Sequence, residues 1–91
     1  MLESKIQHKI VAYLKSINYI TRKLDASSQV GWPDLIAISP KGVVYFFEVK
    51  TETGRLSKLQ DRTINQLREN KANAYVVRSA AEVAAIIRET T

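Results

Sequence analysis

The chain has 91 residues, 45% hydrophobic and 25% charged, which is typical of one globular domain spanning residues 1–91. It has no cysteine, which excludes disulfides, thiolate metal sites and a cysteine nucleophile and fits a reducing, cytoplasmic setting. No apolar run reaches the ~20 residues of a membrane span, and the first residues lack the apolar centre of a signal peptide. The formal net charge of +5, spread along the chain, suits a polyanionic partner such as nucleic acid.

Hydrophobic periodicity and turn residues predict seven elements in the order α-β-β-β-α-β-α. In chain order they are a helix at 2–17, strands at 19–24, 34–39 and 43–50, a helix at 57–70, a strand at 73–78 and a final helix. Ser57 and Gln60 have the spacing of a capping box at the start of the second helix. Ser79 and Glu82 are expected to cap the last helix, and 25–33 is the one long loop.

The two strands at 34–39 and 43–50 form the clearest hairpin, with Pro40, Lys41 and Gly42 as its turn. Both faces of this hairpin carry apolar side chains, and a sheet of that kind needs cover on both sides. The sequence therefore predicts an α/β fold with a mixed central sheet flanked by helices.

Three ionisable residues are expected to meet at one end of the hairpin. If Ser39 pairs with Val43, antiparallel pairing places Asp34 opposite Glu48, with Cβ atoms about 4.5–5.5 Å apart. Lys50 then lies on the same face, about 6–7 Å further along the strand.

Two adjacent carboxylates repel each other unless a cation or a proton joins them. An all-oxygen site favours a hard divalent ion, Mg²⁺ or Mn²⁺, which polarises a phosphate and acidifies a water. Lys50 would orient that water or stabilise the charge that develops in the transition state. The alternative is that Asp34 and Glu48 are unrelated charges at the strand ends and that Lys50 is their ion-pair partner. A shift of one residue in the strand pairing would give this result, because it would put Glu48 on the other face of the sheet.

Two further residues point inward from helices. Glu3 projects within the apolar arc of the first helix, towards the sheet, although an acid in a first turn also complements the helix dipole. Gln60 projects within the inward stripe of its own helix, which gives it either a site role or the capping role. We expect these two roles to exclude each other, because one side chain would have to reach two places.

The tripeptide Gly31-Trp32-Pro33 comes directly before Asp34. Gly31 permits a positive φ, and Pro33 keeps Trp32 extended, so that the tripeptide would hold Asp34 rigidly. Trp32 itself has two readings, since it could stack on a nucleobase, whereas a lone tryptophan more often packs at the edge of a core.

Taken together, these residues resemble a known family. Gly31-Trp32-Pro33-Asp34-Leu35, Glu48-Val49-Lys50 and Gly54-Arg55-Leu56-Ser57 with Gln60 are similar to the VRR-NUC domain of the PD-(D/E)XK nuclease superfamily. The resemblance covers nearly the whole chain and implies a restriction-endonuclease-like core in the order αβββαβα. It also implies a divalent-metal-dependent deoxyribonuclease.

The resemblance implies a role for each matched residue. Asp34 and Glu48 look like metal-binding carboxylates, helped by the backbone carbonyl of Val49. Lys50 looks like the catalytic lysine. The resemblance favours a catalytic role for Gln60, and it implies that Glu3 is an acid able to bind a second metal or a metal-bound water.

Partners and setting also follow from the resemblance. Short stand-alone members resemble phage or viral proteins that act as homodimers on branched DNA such as Holliday junctions, which implies cytoplasmic action in a bacterial or phage-infected cell and no membrane partner. The segment 25–29 lacks the basic residue that related chains carry before the glycine, so Arg22, Lys23 or Arg55 would contact phosphate instead. Two alternatives stay open: an inactive nuclease-fold module that only binds DNA, and a small basic interaction protein.

Overall fold

Helices and strands follow one another in the predicted order in the structure, a computed structural model that describes residues 1–24 and 30–91. The elements are α1 (Glu3–Ser16), β1 (Ile20–Lys23), β2 (Leu35–Ile38), β3 (Val44–Val49), α2 (Lys58–Glu69), β4 (Asn73–Val77) and α3 (Ala80–Thr90). Each predicted range extends at most one residue beyond the element at either end. Of the predicted loop at 25–33, residues 30–33 form neither helix nor strand, and 25–29 lie outside the described residues.

Local hydrogen bonds explain where the helices α2 and α3 begin. The Ser57 hydroxyl accepts from the backbone N–H of Gln60, and the Gln60 side chain accepts from the N–H of Ser57, as the capping box predicts. Ser79 caps α3 by accepting from the N–H of Glu82. α1 begins after Leu2 without a side-chain cap, and the carbonyl of Leu2 accepts from the N–H groups of Lys5 and Ile6.

The four strands form one mixed sheet in the order β1-β2-β3-β4. β1, β2 and β3 are antiparallel neighbours, and β4 lies parallel to β3, reached through the crossover helix α2. In the hairpin, Leu35 pairs with Phe47 and Ile38 with Val44. The predicted mixed sheet is confirmed.

The main core lies on the face of the sheet covered by α1 and α3. Alternation along β3 directs Tyr45, Phe47 and Val49 to this face, where all three are fully buried. The Tyr45 hydroxyl is hydrogen-bonded to Thr90 of α3 at 2.6 Å. The buried helix residues of this core are Ile6, Ile10, Leu14, Val83 and Ile87.

The other face is covered only in part. α2 packs mainly against β4, at one side of the sheet. Ile36, Ile38 and Phe46 are therefore only half-buried, and Val44 is exposed. The prediction of a mixed sheet flanked by helices is confirmed, and α2, the helix that the described residues place on this side, packs mainly beside β4.

Within residues 1–24 and 30–91, no helix combines the length and the apolar character that a membrane crossing requires.

Candidate active site

The hairpin register brings the predicted carboxylates together. The backbone N–H of Ser39 donates to the carbonyl of Val43 at 2.8 Å, which closes the turn as predicted. The pairing of Leu35 with Phe47 then places Asp34 opposite Glu48. The predicted register is confirmed, and the two acids lie at the end of the hairpin away from its turn.

Asp34 is held by backbone on two sides. Its Oδ2 accepts from the backbone N–H of Val49 at 2.8 Å, and its own carbonyl accepts from the N–H of Leu24. Before it in the chain, Pro33 is buried and Gly31 has a φ of +84°. These contacts fix the carboxylate against the end of β3. Within residues 1–24 and 30–91, no backbone group donates to its other oxygen, which can therefore serve as a metal ligand.

Glu48 is almost completely buried, with 1% of its surface exposed. Its Oε2 accepts from Nε2 of Gln60 at 3.3 Å and lies 3.6 Å from the Lys50 ammonium. Its Oε1 is buried and has no hydrogen-bond partner among the described residues. A buried carboxylate oxygen without a partner is costly, and a bound cation or proton would remove that cost.

The pKa of Glu48 reflects its burial and its charged neighbours. Burial, the largest cause, and the negative charge of Asp34 together raise the pKa of Glu48 to about 8, while the positive charge of Lys50 acts in the opposite direction. At neutral pH the metal-free carboxyl therefore holds a proton. Binding a divalent cation would displace that proton, because a cation favours the ionised carboxylate.

Gln60 joins helix capping to the site. Its Oε1 accepts from the N–H of Ser57 at 2.9 Å, while its Nε2 donates to Glu48. The expectation that the two roles exclude each other is wrong. The two ends of the amide serve different partners, because the first turn of α2 lies directly over the end of β3.

Glu3 lies at the start of α1 and is exposed. Its negative charge makes the smallest contribution to the raised pKa of Glu48. The described residues contain no group of three acidic or histidine side chains close enough to hold one metal ion. Glu3 therefore acts on Glu48 through space, and its role as a ligand to a second metal or a bound water stays a prediction.

The residues present suit a hard divalent ion. Mg²⁺ is usually held by one or two carboxylates, with waters and substrate phosphate filling the remaining positions. Asp34 and the unpartnered Oε1 of Glu48 supply such a pair, and the carbonyl of Val49 is the predicted third ligand. The fit rests on this buried oxygen of Glu48, which has no hydrogen-bond partner among the described residues and is therefore available to a cation.

Arg78 also contacts the region of the site, and no sequence pattern pointed to it. Its guanidinium donates to the carbonyls of Thr51 and Gly54, in the loop that directly follows Lys50. A cavity of about 490 Å³, lined by Arg78, Ile6 and Lys9 among others, lies beside this loop and not at the carboxylate pair. Arg78 therefore ties the start of α3 to the loop after Lys50, a contact that only the three-dimensional structure reveals.

The element order, the mixed sheet and a hairpin that ends in two acids and a lysine define the class of the protein as a PD-(D/E)XK-like nuclease fold. The family model of the VRR-NUC domain matches residues 2–81. The chain therefore belongs to the VRR-NUC domain family and is a nuclease-family protein.

Two solved structures and one curated protein are similar to the chain. A VRR_NUC domain of known structure is 32% identical and superposes with a TM-score of 0.84 over 94% of each chain. A VRR_NUC domain protein with 18% identity and a TM-score of 0.78, over 98% of this chain and 87% of its own, shows the fold alone. A UPF0102 protein of Desulforamulus reducens is 26% identical over 70 residues, which are 77% of this chain. The match spans 57% of that relative's length.

Proposed function

We propose that this chain is a divalent-metal-dependent DNA endonuclease that hydrolyses phosphodiester bonds at Asp34, Glu48 and Lys50. The observation that carries the proposal is the buried, unpartnered Oε1 of Glu48 opposite a second carboxylate, with a lysine 3.6 Å from the other oxygen. A buried carboxylate pair does not serve stability, because apolar residues of similar size would avoid the desolvation penalty.

Each residue has a task in this proposal. Bound Mg²⁺ or Mn²⁺ would supply charge neutralisation at the phosphate and a more acidic attacking water. Asp34, fixed by the N–H of Val49, and Glu48, fixed by Gln60, would hold the ion. The Lys50 ammonium would orient the water or stabilise the charge that develops on the phosphate oxygens.

The substrate and the assembly follow from the family. We propose branched DNA such as Holliday junctions as the preferred substrate and a homodimer as the acting form, by analogy with other members of the family. Exposed apolar side chains on the partly covered sheet face, Ile20 and Val44, are what a second copy would cover. The net charge of +5 suits a DNA partner, and the proposed setting is the cytoplasm of a bacterial or phage-infected cell.

A cleavage assay tests the activity. The purified chain is incubated with linear and branched DNA in Mg²⁺, in Mn²⁺ and with EDTA, and nicking is expected only with metal. Asp34→Asn should abolish nicking by removing one charge from the pair. Asp61→Asn is the matched control, because Asp61 is an exposed acid in the first turn of α2 and should leave nicking unchanged.

Two results would reject the enzyme. DNA binding without nicking in any metal, unaffected by Asp34→Asn, would identify an inactive DNA-binding module. Neither binding nor nicking would identify a small basic interaction protein. Sedimentation of the same sample would decide between monomer and dimer.

A further inference from the structure

The sheet face that carries the carboxylates is arranged in rows across the strands. Asp34 and Glu48 occupy one row, and the register places Arg22, Ile36 and Phe46 in the next. Successive rows on one face are about 6–7 Å apart, because side chains alternate along each strand. α2 packs against β4 and leaves the second row open, so Arg22 is exposed and Phe46 half-buried.

Trp32 lies against this second row. Its ring meets the ring of Phe46 edge to face, with centroids 6.0 Å apart and an interplanar angle of 69°. Yet 40% of the tryptophan surface stays exposed. A tryptophan kept only for packing would gain most from burial, so this ring has apolar surface available beside the carboxylates.

The backbone before Trp32 is fixed, which fixes the position of the ring. Gly31 lies so close to α2 that a Cβ there would come within 2.6 Å of Leu59 and 3.2 Å of Thr63. The following residue, Pro33, is buried. A ring placed rigidly at a surface loses little conformational entropy when it binds a ligand.

We propose that Trp32, Phe46 and Arg22 form a nucleotide platform that binds one unpaired nucleotide next to the scissile phosphate. The base stacks on the exposed surface of Trp32, and the Arg22 guanidinium contacts the adjoining phosphate. The proposal rests on the proposed nuclease function and specifies its substrate as nucleic acid with an unpaired base beside the cut. In a continuous duplex both faces of each base are already stacked, so the platform would have nothing to bind.

Charge favours nucleic acid over a second copy of the chain as the occupant. Arg22 and Lys50 both belong to this face. Among the described residues, the acids in the two rows are Asp34 and Glu48, which face each other in the site. In a two-fold symmetric contact over the platform, the same surface patch would meet itself, bringing positive charges close together. A polyanion complements those charges, and stacking on an aromatic ring suits any of its bases.

Trp32 is the only tryptophan of the chain, so its fluorescence reports on the platform alone. The full chain carrying Lys50→Ala, which would bind without cutting, is titrated in Mg²⁺ with two DNA hairpins. One hairpin has a single unpaired adenine and the other is fully paired. We expect the first to quench the emission and the second to leave it unchanged.

Substitutions in that background measure the contribution of the ring. Trp32→Ala should weaken binding of the hairpin with the unpaired adenine by about 5- to 150-fold and leave the paired hairpin unaffected. Trp32→Phe should keep most of the affinity, because a ring remains. Val43→Ala is the matched control, since Val43 is an exposed apolar side chain beside the hairpin turn, at the end of the hairpin away from the site, and its loss should change neither affinity.

The outcomes separate this inference from the proposed activity. Cleavage by the wild-type chain, without quenching and without an effect of Trp32→Ala, would overturn the platform and keep the nuclease. Quenching by the unpaired adenine without cleavage would keep the platform and reject the nuclease. Emission that changes on dilution without DNA, with a lower sedimenting mass for Trp32→Ala, would assign the platform to a second copy and overturn the inference. If Trp32→Ala fails to fold, the quenching of Trp32 emission by the unpaired adenine and the affinity of Trp32→Phe still test the platform.

Discussion

Gln60 donates its amide to Glu48 across 3.3 Å while its carbonyl oxygen accepts from the N–H of Ser57 at 2.9 Å. The start of α2 is thereby tied to the carboxylate at the end of β3. Substitutions that disturb the cap alone or the cap and the carboxylate together can therefore separate stability from activity.

We expect Gln60→Ala to reduce both stability and nuclease activity. Loss of its half of the capping box should lower the free energy of unfolding by about 1 kcal/mol. Loss of the hydrogen bond to Glu48 should also lower kcat by about tenfold, because the metal-binding carboxylate is no longer fixed in position. Urea denaturation and steady-state cleavage measure the two effects.

Ser57→Ala is the matched control for Gln60→Ala. It removes the hydroxyl that accepts from the N–H of Gln60 but leaves the bond between Gln60 and Glu48 intact. Its stability should fall by a similar amount, about 1 kcal/mol, while kcat stays near that of the wild type. Equal losses of kcat in both variants would show that Gln60 serves the helix alone.

The metal-free protein should lose stability as the pH rises from about 5 to about 8. The pKa of Glu48 is raised from 4.5 to about 8 by burial and by the charge of Asp34, so between these values the folded state binds more protons than the unfolded chain. Stability is then fully present below pH 4.5 and falls by up to ~1.4 kcal/mol per pH unit until the carboxyl has ionised. Urea denaturation in EDTA across this pH range measures the slope.

Glu48→Gln should remove this slope, because glutamine is neutral at every pH and fits nearly the same space. Glu52→Gln is the control, since Glu52 is an exposed acid of the same type in the following loop and should leave the slope in place. An unchanged slope in Glu48→Gln would assign the pH dependence to another group.

Metal binding at pH 7 should release about one proton per site, because the ion must displace the proton held by Glu48. Calorimetric titration with Mn²⁺ in two buffers of different ionisation enthalpy measures the number released, which should fall toward zero at pH 9. Lys50→Ala should move that decline to higher pH, since the lysine charge lowers the pKa of Glu48. Proton release that is absent at pH 7 would contradict a protonated carboxyl in the metal-free site.

Much of the site followed from the sequence because strand pairing is periodic. Once the turn at Gly42 fixed the pairing of Ser39 with Val43, the position of Asp34 opposite Glu48 required only counting. Element bounds followed from the same alternation and from the caps at Ser57 and Ser79.

The rest depended on distances between elements that no local pattern encodes. Arg78 gave no signal, because its carbonyl partners lie more than twenty positions away in the chain. The double role of Gln60 required the first turn of α2 to lie over β3, and the exposure of Phe46 depended on how far α2 reaches across the sheet. The role of Gln60 and the exposure of Phe46 both depend on where α2 lies on the sheet, and apolar periodicity does not predict that position.

The two glycines with positive φ offer a test of how the loop before Asp34 is held. Gly31 and Gly42 have φ values of +84° and +85°, but a Cβ on Gly31 would lie 2.6 Å from Leu59, whereas nothing lies within 4 Å of one on Gly42. Gly42→Ala should therefore cost about 1 kcal/mol through backbone strain alone. Gly31→Ala should cost a further 1–3 kcal/mol, roughly, through the clash with α2.

A double substitution isolates the steric part. Adding Leu59→Ala to Gly31→Ala removes the side chain that the new methyl group would meet, so the double variant should be more stable than the sum of the single effects by about 0.5–3 kcal/mol. The same addition to Gly42→Ala should show no coupling, because Gly42 lies in the turn at the other end of the hairpin. If the two pairs gave equal coupling in urea denaturation, close packing of Gly31 against α2 would not be what holds Trp32 and Asp34 in place.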